Sequence, residues 1–459
     1  MNPDRKRRVL MTGREEQINN LNTYFESDNN NITVLYGRYR VGKTALIREF
    51  SKEKNVVYFE CAPTVDFELL NSINRAFSNQ IEGYVYASNF DGVFEQVKNS
   101  PEIKLLVFEE FQNIVKADLG FLVSLLRFMQ ELGSSRKIMV LFTSSSVSWV
   151  ENSMVKTIGR AALSINAFVK LKELSYVDIV GMFPECNVNT LLCVYALTGG
   201  VPGYVSMWNP KATVKENICK LFLDRNGVFS REAELFIKDE FRETGVYSTI
   251  LKCLAGGMNK LNEIHEYTGY GRDKISVYLK NMIEREIVEK VFSYDSGTNE
   301  HTRKGLYRIQ DDFINFWYRF VYPDYAILAS MEPEDFYDKY VEPGLNEFLL
   351  EAFIKIAGEF MDIVNDMGRF SATYDRKGRW HGKTGDLHVI YQNDNRYIIG
   401  QAYVGDKPVD ITDYQAIIDN AMIAGIKDPV VYMFSACGFT QGLEQMAGDK
   451  LVTVAIEDL

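Results

Sequence analysis

Val34-Leu35-Tyr36-Gly37-Arg38-Tyr39-Arg40-Val41-Gly42-Lys43-Thr44-Ala45-Leu46-Ile47 joins an apolar strand to the spacing GxxxxGK[ST] and then to a helix. That order decides the fold. A phosphate chain needs backbone N–H groups turned toward it, and Gly37 and Gly42 permit the close approach and positive φ such a loop requires. The helix that follows adds the positive end of its dipole. The loop, with Gly37, Arg38, Tyr39, Arg40, Val41, Gly42, Lys43, Thr44 and Ala45, is therefore expected to hold a nucleoside triphosphate. Lys43 should reach the β- and γ-phosphates and Thr44 a Mg²⁺ ion.

Working outward, short apolar strands are expected at Asn55 to Cys61, Lys104 to Phe108 and Lys137 to Phe142, between helices such as Phe67 to Gln80 and Leu119 to Leu132. Strands alternating with helices predict a parallel sheet covered on both faces, an α/β fold. Nucleotide hydrolysis needs a strand ending in acids, one for the metal and one to orient water. Lys104-Leu105-Leu106-Val107-Phe108-Glu109-Glu110 meets that need, with Glu109 for Mg²⁺, where Asp is usual, and Glu110 for the water. Ser145, at the end of the next strand, is a candidate sensor of the γ-phosphate. Arg160 is a candidate source of positive charge for the transferring phosphoryl group.

The chain has 459 residues, 46% of them hydrophobic, so two to four domains are expected. Six scattered cysteines (61, 186, 193, 219, 253, 437) show neither CxxC nor paired spacing, which speaks for buried thiols over disulfides or zinc. No apolar run reaches bilayer length, and the basic start MNPDRKRRVL lacks an apolar segment after it, so the expected location is cytoplasmic, with no membrane partner. A net charge of −11 argues against a surface coated for nucleic acid.

The helix opened by Gly13-Arg14-Glu15 and the phosphate-binding sheet occupy residues 1–171. Residues 172–230 form a small helical lid, broken at Gly199-Gly200-Val201-Pro202-Gly203, with Pro202 a candidate nucleotide contact. In 231–310, helices including Leu261 to Thr268 and Asp273 to Glu286, followed by a hairpin of Ile287 to Ser293 and Lys304 to Ile309, predict a winged helix-turn-helix. Its second helix would read DNA, with Arg303 and Lys304 on phosphates. Between Lys260 and Gln310, nine basic residues face eight acidic ones, a weak electrostatic case for DNA. Residues 311–459 predict a separate α/β domain, with a long helix near Leu345 to Met361 and strands at Asp386 to Tyr391, Arg396 to Val404 and Pro429 to Phe434.

Taken in order, Gly13-Arg14-Glu15, GRYRVGKT from Gly37, FEEFQ from Phe108, Gly159-Arg160 and TGGVPGY from Thr198 resemble the archaeal-type ATPase family, a branch of P-loop ATPases near the AAA+ and signalling-NTPase groups. The likeness continues through Tyr307 to Phe320, Tyr340 to Leu345, Gly378-Arg379-Trp380 and Phe434 to Thr440. It implies adenine as the base, hence ATP and ADP with Mg²⁺. It also implies a C-terminal domain similar to PD-(D/E)xK restriction endonucleases. Aligned by motif, Ile354 stands where that fold's helix acid belongs, His388 at the Asp, and Gln401 and Tyr403 at the E-x-K. Mg²⁺ prefers hard anionic oxygens, so nuclease activity is not expected. A different metal set of His381, Asp386 and His388 is conceivable. Glu109, Ser144 in place of a glycine, and Tyr39 where the family commonly has Arg together predict slow hydrolysis. The reading that follows is an ATP-controlled switch that repositions the winged helix and the inactive nuclease-like domain. Its alternatives are a non-hydrolysing adaptor for protein or DNA, with the C-terminal domain meeting the protein partner, or an ATP-gated nuclease.

Overall fold

Every residue of the strand Asn31–Tyr36 (β1) is buried, and its side chains divide by parity between two cores. Ile32, Val34 and Tyr36 point to one face of the sheet and Leu35 to the other. The same alternation holds in Leu105–Glu109 (β3) and Met139–Ser144 (β4). A sheet buried on both faces reads in sequence as continuous apolar runs, which is why these strands were legible. The structure, a computed structural model, describes residues 12–294, 305–370 and 372–459. It separates into two compact units, one running to Leu174 and including Val201–Ser206, the other comprising Ser175–Gly200 and Met207–Leu459.

In the first unit, Val56–Glu60 (β2), β3, β4, β1 and Ala167–Lys170 (β5) lie side by side in that order, all parallel. The order places β1 and β3, whose C-terminal ends carry the glycine loop and the two acids, on either side of β4. Helices Glu15–Glu26, Lys43–Phe50, Asp66–Ser78, Phe90–Lys98, Phe111–Ala117 and Gly120–Leu132 accompany the sheet. Four-residue β5 was not expected from sequence. Phe168 within it is exposed and the pairing with β1 defines it.

The second unit begins with helices Tyr176–Met182 and Val188–Thr198, each opened by a side-chain cap, Ser175 and Asn187. Helices Glu232–Glu240, Thr244–Ala255, Leu261–Thr268 and Arg272–Ile283 precede the antiparallel pair Val288–Val291 (β6) and Leu306–Ile309 (β7). Ile275, Tyr278, Leu279 and Met282 are the buried face of the last helix, as its spacing predicts. Arg303 and Lys304 lie outside the described residues. An aromatic core of Phe222, Phe229, Phe313 and Phe316 follows, with ring centroids 4.7 to 5.4 Å apart.

The long helix spans Glu342–Asp366, opening with Pro343 in its first turn. It packs on a sheet ordered Leu451–Ala455 (β12), Val430–Ser435 (β11), Arg396–Tyr403 (β10), Asp386–Asn393 (β9) and Arg376–His381 (β8). β10, β11 and β12 run parallel, while β8, β9 and β10 run antiparallel. β8, with the sequence RKGRWH, carried no strand signal because Trp380 is its one buried side chain. β12, also unexpected, forms by pairing with β11.

Candidate nucleotide site

The loop after β1 turns where its glycines allow. Gly42 has φ +101°, open to glycine and strained for other residues, and it caps the helix Lys43–Phe50. A Cβ on Gly37 would lie 2.3 Å from the Leu171 carbonyl oxygen, so no side chain fits there. Arg40 also has positive φ, +63°. Arg14 braces the loop from the side, donating to the carbonyls of Val41 (3.3 Å) and Lys172 (2.7 Å). Arg38 pairs with Glu173 at 3.1 Å, and Tyr39 is exposed.

Lys43 is buried and its ammonium donates to the carbonyls of Gly37 (2.7 Å) and Arg38 (3.0 Å). Burial pulls its pKa down to about 8, against the opposing pull of Glu110 and Glu109. Thr44 donates to Glu109 Oε2 at 3.1 Å. Burial pushes the Glu109 carboxyl up, with Tyr58 and Thr44 opposing. Its second oxygen, Oε1, is buried and has no hydrogen-bond partner among the described residues. A hydroxyl and a carboxylate meeting with one orphaned oxygen is a donor set that fits a hard cation such as Mg²⁺.

Glu110 follows in a left-handed conformation, φ +55°, at the start of the helix Phe111–Ala117. Ser145 Oγ donates to its Oε1 at 2.5 Å, and Gln112 Nε2 to its Oε2 at 2.5 Å. The Ser145 N–H approaches Oε2 at 3.4 Å. Sequence reasoning named Ser145 for the γ-phosphate and left Gln112 without a role. The two-residue spacing of Glu110 and Gln112 across a strand-to-helix turn was the signal available.

Pro202 begins the short turn Pro202–Val205, which sits against the same loop. Gly203 N–H donates to Arg40 O at 3.1 Å, and a Cβ on Gly203 would fall 2.8 Å from Arg40 Cβ. The Arg40 guanidinium lies 5.4 Å from the Tyr204 ring centroid and 5.6 Å from that of Tyr39. Arg160 is exposed in the 3-10 turn Gly159–Ser164, and among the described residues no hydrogen bond or ion pair joins it to the loop.

In the C-terminal sheet one expectation is corrected, the metal set of His381, Asp386 and His388. Ile354 packs in the core, and of the acids on the long helix Glu351, one turn earlier, is held by Arg379 and Asp362 by Lys377, both from β8. His381, Asp386 and His388 do not make a metal site, since no group of three metal-binding side chains occurs among the described residues. His388 is instead committed to the sheet, its Nδ1 accepting from the Ala402 N–H at 3.1 Å. No described helix is long and apolar enough to cross a membrane.

Comparison with known proteins agrees with this geometry. Residues 11–208 match the model of an ATPase domain predominantly from Archaea. Residues 317–402 match a family of archaeal and bacterial proteins of unknown function. An uncharacterized protein of Methanocaldococcus jannaschii is 26% identical over 386 residues, covering 84% of this chain and 85% of its own. Among solved structures, a Walker-type ATPase of Pyrococcus abyssi has a TM-score of 0.48 at 17% identity, covering 67% of this chain and 96% of that one. The ORC2 protein of Aeropyrum pernix, solved with ADPNP and ADP, has a TM-score of 0.45 at 15% identity, covering 70% of this chain and 98% of that one. The chain is thus similar to archaeal ATPase domains through residues 11–208 and to a family of unknown function through residues 317–402.

Proposed function

We propose that the chain binds Mg-ATP on residues Gly37 to Ala45, hydrolyses it slowly, and uses the bound nucleotide as a conformational switch. The observation that carries the reading is the convergence of Lys43, Thr44, Glu109 and Glu110 at the ends of β1 and β3, the strands that flank β4. Lys43 would exchange its two carbonyl partners for phosphate oxygens, and the loop amides would supply the remaining donors. Thr44 and Glu109 would hold Mg²⁺, which when bound neutralises developing charge on the phosphates.

Glu110 would orient the attacking water, and its present engagement with Ser145 and Gln112 supports a slow rate. Those bonds fix the carboxylate's position and draw on its basicity, so it activates water less readily. Pro202 and its neighbours, fastened to Arg40, would report the state of the loop to the rest of the chain. We keep the division into ATPase core (1–171), lid (172–230), winged helix (231–310) and nuclease-like domain (311–459) as part of this proposal. DNA at the winged helix and a protein at the C-terminal domain are its candidate partners.

Steady-state hydrolysis with Mg²⁺, beside equilibrium binding of ATP and ADP, tests it. Turnover should vanish in Lys43→Ala, while Glu110→Gln should keep binding and lose turnover by about a hundredfold or more. Tight binding with no turnover in the wild type would leave the adaptor reading.

A further inference from the structure

Charged side chains of the second unit converge at one place, from β7, β8, β9 and the long helix. Arg379 on β8 grips Glu351 of the long helix through two bonds, Nη1 to Oε2 at 2.9 Å and Nη2 to Oε1 at 3.1 Å. The same Nη2 reaches Asp386 Oδ2 on β9 at 3.5 Å. His381 Nδ1 lies 2.8 Å from that Asp386 oxygen. Arg308 of β7 comes within 3.5 Å of Glu351 Oε2, so β7 shares the cluster. Behind it, Gln401 on β10 donates to the Asp386 carbonyl at 3.2 Å and accepts from the His388 N–H at 3.1 Å.

Two carboxylates brought together from a helix and a strand repel each other unless a cation lies between them. A divalent metal ion is one solution, and the planar fork of a guanidinium is another. We propose that Arg379 serves as a built-in cation between Glu351 and Asp386, taking the place a divalent metal would hold and closing this donor set to metal-dependent chemistry. The fit of a metal fails on this geometry, because Glu351 spends both oxygens on guanidinium and Asp386 spends its Oδ2 on Arg379 and His381. Burial alone would raise the Glu351 and Asp386 carboxyls, yet Arg379 holds Glu351 below its ordinary value, and His381 with Arg379 does the same for Asp386. The Arg379 side chain is 17% exposed, less than the carboxylates it joins, Glu351 at 44% and Asp386 at 31%.

The test counts Mn²⁺ bound to the full-length protein by electron paramagnetic resonance, without nucleotide. Arg379→Met keeps most of the side-chain stem and removes the charge. It should bind one Mn²⁺ more than wild type, and the double variant R379M/D386N should return to the wild-type number. Arg379→Lys, which retains the charge, should bind no extra ion. Equal Mn²⁺ binding by wild type and Arg379→Met would overturn the proposal. If Arg379→Met does not fold alone, Mn²⁺ should restore its thermal transition, and failure to do so would also overturn it.

Discussion

Lys43 is the residue whose environment makes the sharpest prediction. Its pKa of about 8 follows from burial, and phosphate oxygens around it would raise that value again. ATP binding should therefore take up a proton above pH 8, and affinity should fall about tenfold per pH unit there. Calorimetry in buffers of different ionisation enthalpy measures that uptake, and affinity flat between pH 8 and pH 9 would show that Lys43 stays charged throughout. By the same linkage the protein without ATP should gain stability as pH rises from about 8 toward the ordinary lysine value, because the unfolded chain holds the proton that the folded one has lost. Ser145 makes the second prediction. If its bond restrains Glu110, Ser145→Ala should raise kcat, by up to about tenfold for a hydrogen bond to a charged group, with KM little changed. A fall in kcat would instead favour Ser145 as the phosphate sensor. The residues of this site were legible because phosphate chemistry fixes residue types at short spacing. Glu351 was missed because no local spacing says which turn of a helix faces Arg379.

At the scale of elements, β1, β3 and β4 announced themselves through apolar runs, whereas β5, β8 and β12 did not. Those three are held by pairing with a neighbour, a relation between distant residues. The edge strand β2 shows how such an edge is managed: the Gln80 amide donates to Tyr58 O (2.7 Å) and accepts from Tyr58 N–H (2.8 Å), imitating a neighbouring strand. The segment Val201–Ser206 carries the element-level prediction. A methyl group at Gly203 would press on Arg40 Cβ at 2.8 Å and Arg40 O at 3.0 Å. Gly203→Ala should cost about 1–3 kcal/mol of stability, the usual penalty of overpacking, and change ATP affinity with it. Denaturant melts and binding isotherms check both, and wild-type values in each would show that the segment is not fastened to the loop.

For the whole molecule, two compact units predict two thermal transitions in calorimetry. ATP with Mg²⁺ should raise only the transition of the unit that holds the loop, by about 2.7 kcal/mol at a ligand concentration a hundred times Kd. Equal shifts in both would mean that the units unfold together. The sequence by itself determined the glycine loop, the acids at the end of β3, the parallel sheet and the buried face of the helix Arg272–Ile283. Each is written in contiguous residues, as a spacing that phosphate geometry or the strand and helix periods impose. Tertiary structure decided that Ser145 and Gln112 hold Glu110, that Gly203 meets Arg40, and that Arg379 stands between Glu351 and Asp386. Those contacts join residues remote in the chain or turned by a bend, and their energies depend on distance and burial, quantities that exist once the strands have paired and the cores have closed.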